Sequence, residues 1–145
     1  TISDSYATGK VTAAGYSALG GLVGFSPGTI TDSYATGAAT DTAGNSQIGG
    51  LVGFNAGTID TSYATGAVTG GAGSEVGGLV ALNLGTVTDS YWDTQTTGQS
   101  TSAGGTGLTT AQLKSGLPAG FSSSVWGINS HINHGFPYLL AVPPQ

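Results

Sequence analysis

The chain has 145 residues, 27 of them glycine, and only two basic side chains, Lys10 and Lys114, against seven Asp and Glu, for a net charge of −5. Phosphate backbones and anionic membrane surfaces are held by clustered Lys and Arg, so no nucleic-acid partner is expected. Membrane insertion is not expected either, because no apolar run approaches the ~18 residues of a spanning helix.

Taken from the N-terminus, "TISDSYATG" (1–9) introduces a phrase that returns as "GTITDSYATG" at 28–37, "GTIDTSYATG" at 57–66 and "GTVTDSY" at 85–91. "SY" recurs at Ser5, Ser33, Ser62 and Ser90, in steps of 28, 29 and 28, and "GGLV" begins at Gly20, Gly49 and Gly77, in steps of 29 and 28. Two markers keeping one period define a structural repeat. The extra residue of the longer step falls in "AATDTAGNSQI" (38–48), which predicts a surface turn there. Apolar groups are short and β-branched, punctuated by Gly or Asp-Ser, with no 3.6-residue period. The repeats therefore predict an all-β fold: a β-solenoid (β-helix) of about three and a half coils, 28–29 residues per coil, with three faces. The absence of Met and the opening inside a repeat read as a piece of something longer.

In such a coil stack, equivalent residues lie above one another at the ~4.8 Å strand spacing. Ile2, Ile30, Ile59 and Val87 form one predicted interior ladder and Leu22, Leu51 and Leu79 another. Tyr6, Tyr34, Tyr63 and Tyr91 form a third, an aromatic strip if outward and corner filling if inward; uniform recurrence favours packing. Gly28, Gly57 and Gly85, with Gly9, Gly37 and Gly66, read as corners needing positive φ or close backbone approach.

After Tyr91 the repeat breaks, dividing the chain into a solenoid at 1–92 and a non-repeat C-terminal cap and tail at 93–145. Residues 95–107 read as a polar loop, and "LTTAQLKSG" (108–116) as one short helix capped by Thr109 or Thr110 and stopped at Gly116. Phe121, Trp126, Phe136 and Tyr138 give this mixed cap an aromatic core expected to blunt the last coil edge.

"GGLVGFNAGTIDTSYATGAV" (49–68) resembles the GLUG repeat of large bacterial surface proteins of the filamentous-haemagglutinin type, and "SYWDTQTTGQ", "GTGLTTAQL", "WGI" and "FPYLL" resemble the segment that follows its last copy. The resemblance implies an extracellular, adhesin-like stalk or passenger on the bacterial cell surface and brings no catalytic residues. The third copy departs from the pattern at Ala81, where Gly is usual.

Several residue sets invite chemistry. Asp4, Asp32 and Asp89 share one repeat position, with Thr61 interrupting the row; stacked carboxylates near 5 Å suit a retaining glycosidase, but no Arg accompanies them, and Asx turns explain the row better. Calcium held by Asp4 and Asp32 is a lesser reading, since a calcium β-roll carries an Asp in every nonapeptide. His131 and His134 fall short of the three or four ligands zinc takes. Thr1, Thr29, Thr58 and Thr86 align as on ice-binding faces, yet the companion column of Ser3, Thr31, Asp60 and Thr88 is irregular. No enzyme activity, cofactor or metal is expected.

The function expected is structural: an extracellular solenoid module, with a free β-edge at Thr1, Ile2 and Ser3 able to accept the preceding repeats of a longer chain, or other copies of itself end to end as a fibre. The alternative is a module that binds a surface glycan or host receptor through exposed aromatics such as Tyr16 or Trp92.

Overall fold

The computed structural model describes residues 1–144 and is an all-β solenoid. The first coil carries β1 (Ile2–Ala7), β2 (Val11–Ala13), β3 (Ala18–Gly20) and β4 (Val23–Ser26). The second repeats them as β5 (Thr29–Ala35), β6 (Ala39–Asp41), β7 (Gln47–Gly49) and β8 (Val52–Asn55). In the third the long strand divides into β9 (Thr58–Asp60) and β10 (Tyr63–Ala64), followed by β11 (Val68–Thr69), β12 (Glu75–Gly77) and β13 (Val80–Asn83). The fourth begins with β14 (Thr86–Thr88) and β15 (Tyr91–Asp93).

Every contact between coils is parallel and in register, as in Ile2 beside Ile30, Ile30 beside Ile59 and Ile59 beside Val87. The strands form four parallel sheets, where three faces were expected. The additional corner lies in the "GGLV" phrase: β3 and β4 are separated by a tight arc in which a Cβ on Gly20 would overlap the Val23 carbonyl and one on Gly21 the Gly50 carbonyl of the next coil. A short apolar run therefore holds two strands and a bend, which hydropathy alone does not resolve.

The interior holds Ile30, Leu51, Val52, Ile59, Leu79 and Val80, all fully buried, with Ile2, Leu22, Val23 and Val87 packed against them at the ends of the stack. Trp92 takes the position of Ala35 and Ala64 and covers Gly78. Its indole nitrogen donates to the Gln99 carbonyl at 2.8 Å. A smaller cluster of Leu19, Ala39, Ile48 and Val68 fills the other end of the cross-section.

Residues 95–107, expected as a loop, follow the solenoid path by a shortcut. Thr97 accepts from the Val68 amide, Thr101 from the Gly78 amide, and the Ala103 amide donates to Val80. The path ends in β16 (Thr106–Leu108), paired parallel to β15. The helix follows as α1 (Thr110–Lys114), with Thr109 as N-cap in a capping box completed by Gln112. A two-stranded antiparallel pair, β17 (Trp126–Gly127) with β18 (Tyr138–Leu139), completes the cap.

Candidate functional site

The four tyrosines form a ladder that belongs neither to the interior nor to the open surface. Tyr6, Tyr34 and Tyr63 are stacked with ring centroids 5.0 Å apart and planes within 6° of parallel. They pack with Tyr91 against Leu113, Phe121, Trp126, Phe136 and Leu139, all from the C-terminal segment. The aromatic part of the cap thus lies along the flank of the coils, and the edge of the last coil is met by residues 97–108.

Polar contacts fix this docking. The Tyr63 hydroxyl donates to the Pro137 carbonyl, and Asn133 Nδ2 donates to the same carbonyl and to the Tyr63 oxygen, each at 2.9 Å. Tyr91 donates to Ala119 at 2.7 Å. Trp126 Nε1 donates to Asp32 Oδ1 at 3.1 Å. Tyr34 is fully buried and its hydroxyl has no partner among the described residues. Burial pushes the phenol pKa of Tyr34, Tyr63 and Tyr91 upward, reinforced by neighbouring Tyr6, Tyr34 and Asp89 respectively, while Asn133 partly offsets the rise at Tyr63.

The Asp row has a backbone cause. Asp4, Asp32, Thr61 and Asp89 all adopt left-handed φ, between 40° and 47°. Asp tolerates this region better than most residues. The expected Asx turns are not what holds these positions: the Asp32 carboxylate takes the Thr61 hydroxyl at 2.9 Å and the Trp126 indole. The serine that follows closes the bend. Ser5, Ser33, Ser62 and Ser90 each donate to the carbonyl two residues earlier, and the last three accept the serine amide of the coil before.

Of the two causes expected for the two glycine columns, positive φ or close backbone approach, the structure shows the second. A Cβ on Gly37 or Gly66 would overlap the carbonyl of Gly9 or Gly37, and one on Gly57 or Gly85 that of Gly28 or Gly57. Gly9 and Gly28 head these columns and face open space.

One residue that the sequence reading left unmarked organises the longer turn. Asp41 is buried, and its carboxylate accepts the amides of Gly15 at 2.7 Å, Gly44 at 2.6 Å and Ala43 at 3.3 Å, with the Ser74 hydroxyl at 3.2 Å. Burial raises its pKa, but the hydrogen bonds from Ala43, Gly44, Gly15 and Ser46 outweigh that and hold the carboxyl below its ordinary value. A lone acid inside a polar turn gives no pattern by which sequence could single it out.

The remaining candidates separate in space. Among the described residues no three His, Cys, Asp or Glu side chains gather as a metal site. His131 and His134 are exposed and line a cleft of about 470 Å³ with Thr8, Thr36 and Asn133. Trp92, proposed as an exposed aromatic, is buried; Tyr16 is 86% exposed. Among the described residues β1 to β4 pair on one side only, leaving Ile2 and Ser3 on a free edge beside exposed Thr1. Thr1, Thr29 and Thr86 are exposed and Thr58 half-buried, while Asp60 accepts the Thr88 hydroxyl in the companion column.

No curated protein and no solved structure matches the chain. The model of the GLUG motif matches twice, at residues 15–40 and 44–69. Each match runs from the Gly15 or Gly44 turn through the "GGLV" arc and the left-handed bend at Asp32 or Thr61 into the next coil, so this part of the solenoid is a GLUG-repeat region.

Proposed function

We propose that the chain is a structural, adhesin-like module displayed outside the bacterial cell, non-catalytic and free of cofactors, whose task is to extend a stalk by stacking coils. GLUG repeats on a β-solenoid fit such a module. The third copy and the segment after it are read as the closing part of the same array. The sparsely charged, Thr- and Ser-rich surface supports display. With no N-x-S/T sequon in the chain, any glycan would be O-linked.

The observation that carries the stacking role is the pair of unoccupied glycines. In the lower coils these positions are glycine because the coil before them leaves no room for a Cβ; Gly9 and Gly28 keep the residue where the space is open. The first coil is thereby shaped to receive another coil of the same kind, in the parallel register that joins β1 to β5. Preceding repeats fit this edge better than end-to-end copies, since residues 97–108 already engage β11, β13 and β15 at the opposite end.

Gly28→Ala tests the reading in two backgrounds. In the 145-residue chain the substitution is expected to be neutral or to stabilise by about 0.4–1 kcal/mol through the unfolded state. With a copy of residues 1–28 placed ahead of Thr1, the same substitution is expected to destabilise as Gly57→Ala does. The same sign in both backgrounds refutes the stacking role. Negative-stain microscopy across a concentration series should show dispersed particles, and long fibres would restore the end-to-end alternative. Antibody against the module should label intact producing cells; labelling only after permeabilisation removes the surface assignment.

A further inference from the structure

Tyr16 stands in a column where its neighbours are chosen by backbone shape. The amide of Tyr16 donates to the Gly44 carbonyl and that of Asn45 to the Ala72 carbonyl, so Tyr16, Asn45 and Gly73 are equivalent positions of successive coils. All have left-handed φ, of 52°, 59° and 78°. Asn and Gly adopt that conformation readily, whereas a bulky side chain there is an outlier. No packing explains the exception, because the Tyr16 side chain is 86% exposed, the most exposed of the large hydrophobic residues described.

Tyr16 borders a shallow, open cleft of about 320 Å³ lined also by Asn45, Ser46, Gln47, Gly73 and Glu75. Gln47 and Glu75 are adjacent rungs of one ladder, paired in register. The site therefore offers one aromatic face, two amides and one carboxylate. Neither cation of the chain, Lys10 or Lys114, lines it.

We propose that this cleft binds a neutral saccharide, with Tyr16 as the platform for the sugar ring and Gln47, Glu75 and Asn45 as partners for its hydroxyls. A pyranose has an apolar C–H face, which an aromatic ring covers, and a rim of hydroxyls, which carboxylate and amide groups satisfy in pairs. The lack of a cation disfavours acidic sugars and phosphates. A shallow cleft of about 320 Å³ is at the small end of ligand sites and suits contact with a single sugar ring, the rest of a longer glycan lying outside it. The role goes beyond stacking coils, as it gives the stalk itself a point of contact with a glycan surface.

The test is calorimetric titration of the 145-residue chain with glucose, galactose, N-acetylglucosamine, maltose, cellobiose and lactose, and with glucuronic acid as the charged control. Binding of at least one neutral sugar at millimolar or lower concentration is expected, with Tyr16→Phe within about threefold of the parent. Tyr16→Asn removes the platform with a residue suited to the turn, so affinity should fall at least tenfold while the melting temperature holds or rises. Silence across the neutral panel, preference for glucuronic acid, or unchanged affinity in Tyr16→Asn overturns the proposal. A lowered melting temperature in Tyr16→Asn would also do so, by showing that the tyrosine serves the turn.

Discussion

Trp126 is the side chain on which docking of the cap depends most, and Trp126→Ala is its direct test. The indole is 1% exposed, lies 4.5 Å from Phe121 and within 6 Å of Tyr34 and Tyr63 by ring centroids, and donates to Asp32 at 3.1 Å. Truncating a buried Trp to Ala costs about 3–5 kcal/mol when the site cannot collapse. Here one wall is the tyrosine ladder, fixed by the coils, so about 4 kcal/mol is expected. For a chain of this length about 1 kcal/mol moves the melting temperature by about 2–4 °C, giving a drop of about 8–16 °C by circular dichroism. Trp126→Phe keeps most of the ring and loses the indole donor, and should cost about 1–2 kcal/mol. Hydrogen exchange in Trp126→Ala should rise over 109–139 and little in the "GGLV" strands. A drop under 3 °C, or equal exchange throughout, would refute the claim that the cap is pinned to the flank by this residue.

Three further outcomes follow from named groups. The buried phenols have raised pKa values, so their contribution is intact below the ordinary value of 10.0 and is lost as pH rises toward the folded values; alkaline titration should unfold the chain, and Tyr34→Phe should postpone it. Asp41 is held below its ordinary 3.8, so its contribution is present above that value and fades as pH falls through the folded value; the melting-temperature gap between parent and Asp41→Asn should close in acid, and a constant gap would count against it. Thr61 is β-branched at φ 43°, and Thr61→Asn keeps a donor for Asp32 in a residue tolerant of that region, for a gain of about 1 kcal/mol. A lower melting temperature would mean that the Thr61 hydroxyl bonds to Asp32 and Thr31 outweigh the strain.

The coil path was legible because one phrase recurs at a fixed period, and the Ile and Leu ladders follow from that period alone. The number of sheets was not, since the arc at Gly20 and Gly21 is made by carbonyl positions that no side chain announces. The Asp-Ser bend was visible as punctuation, but its left-handed backbone and serine hydrogen bonds require knowing which coil lies beside which. The flank position of Phe121, Trp126 and Phe136 was hidden for a different reason. Aromatic content gives a cap its mass and says nothing about which surface of the solenoid it covers. Tyr16 stood out only as an exposed aromatic, and its meaning came from the Asn45 and Gly73 column.

A coil stack held only by neighbour-to-neighbour contacts can fray from its end, one turn at a time, under a steady pull. The tyrosine ladder changes that mechanics. Trp126 grips Asp32 in the second coil, Pro137 holds Tyr63 in the third, and Ala119 holds Tyr91 in the fourth. A tension applied at the C-terminal end therefore loads these rungs together, in shear, before any single strand can peel. The C-terminal segment works as a splint, and the module should yield abruptly as one unit where a bare solenoid would unwind in steps.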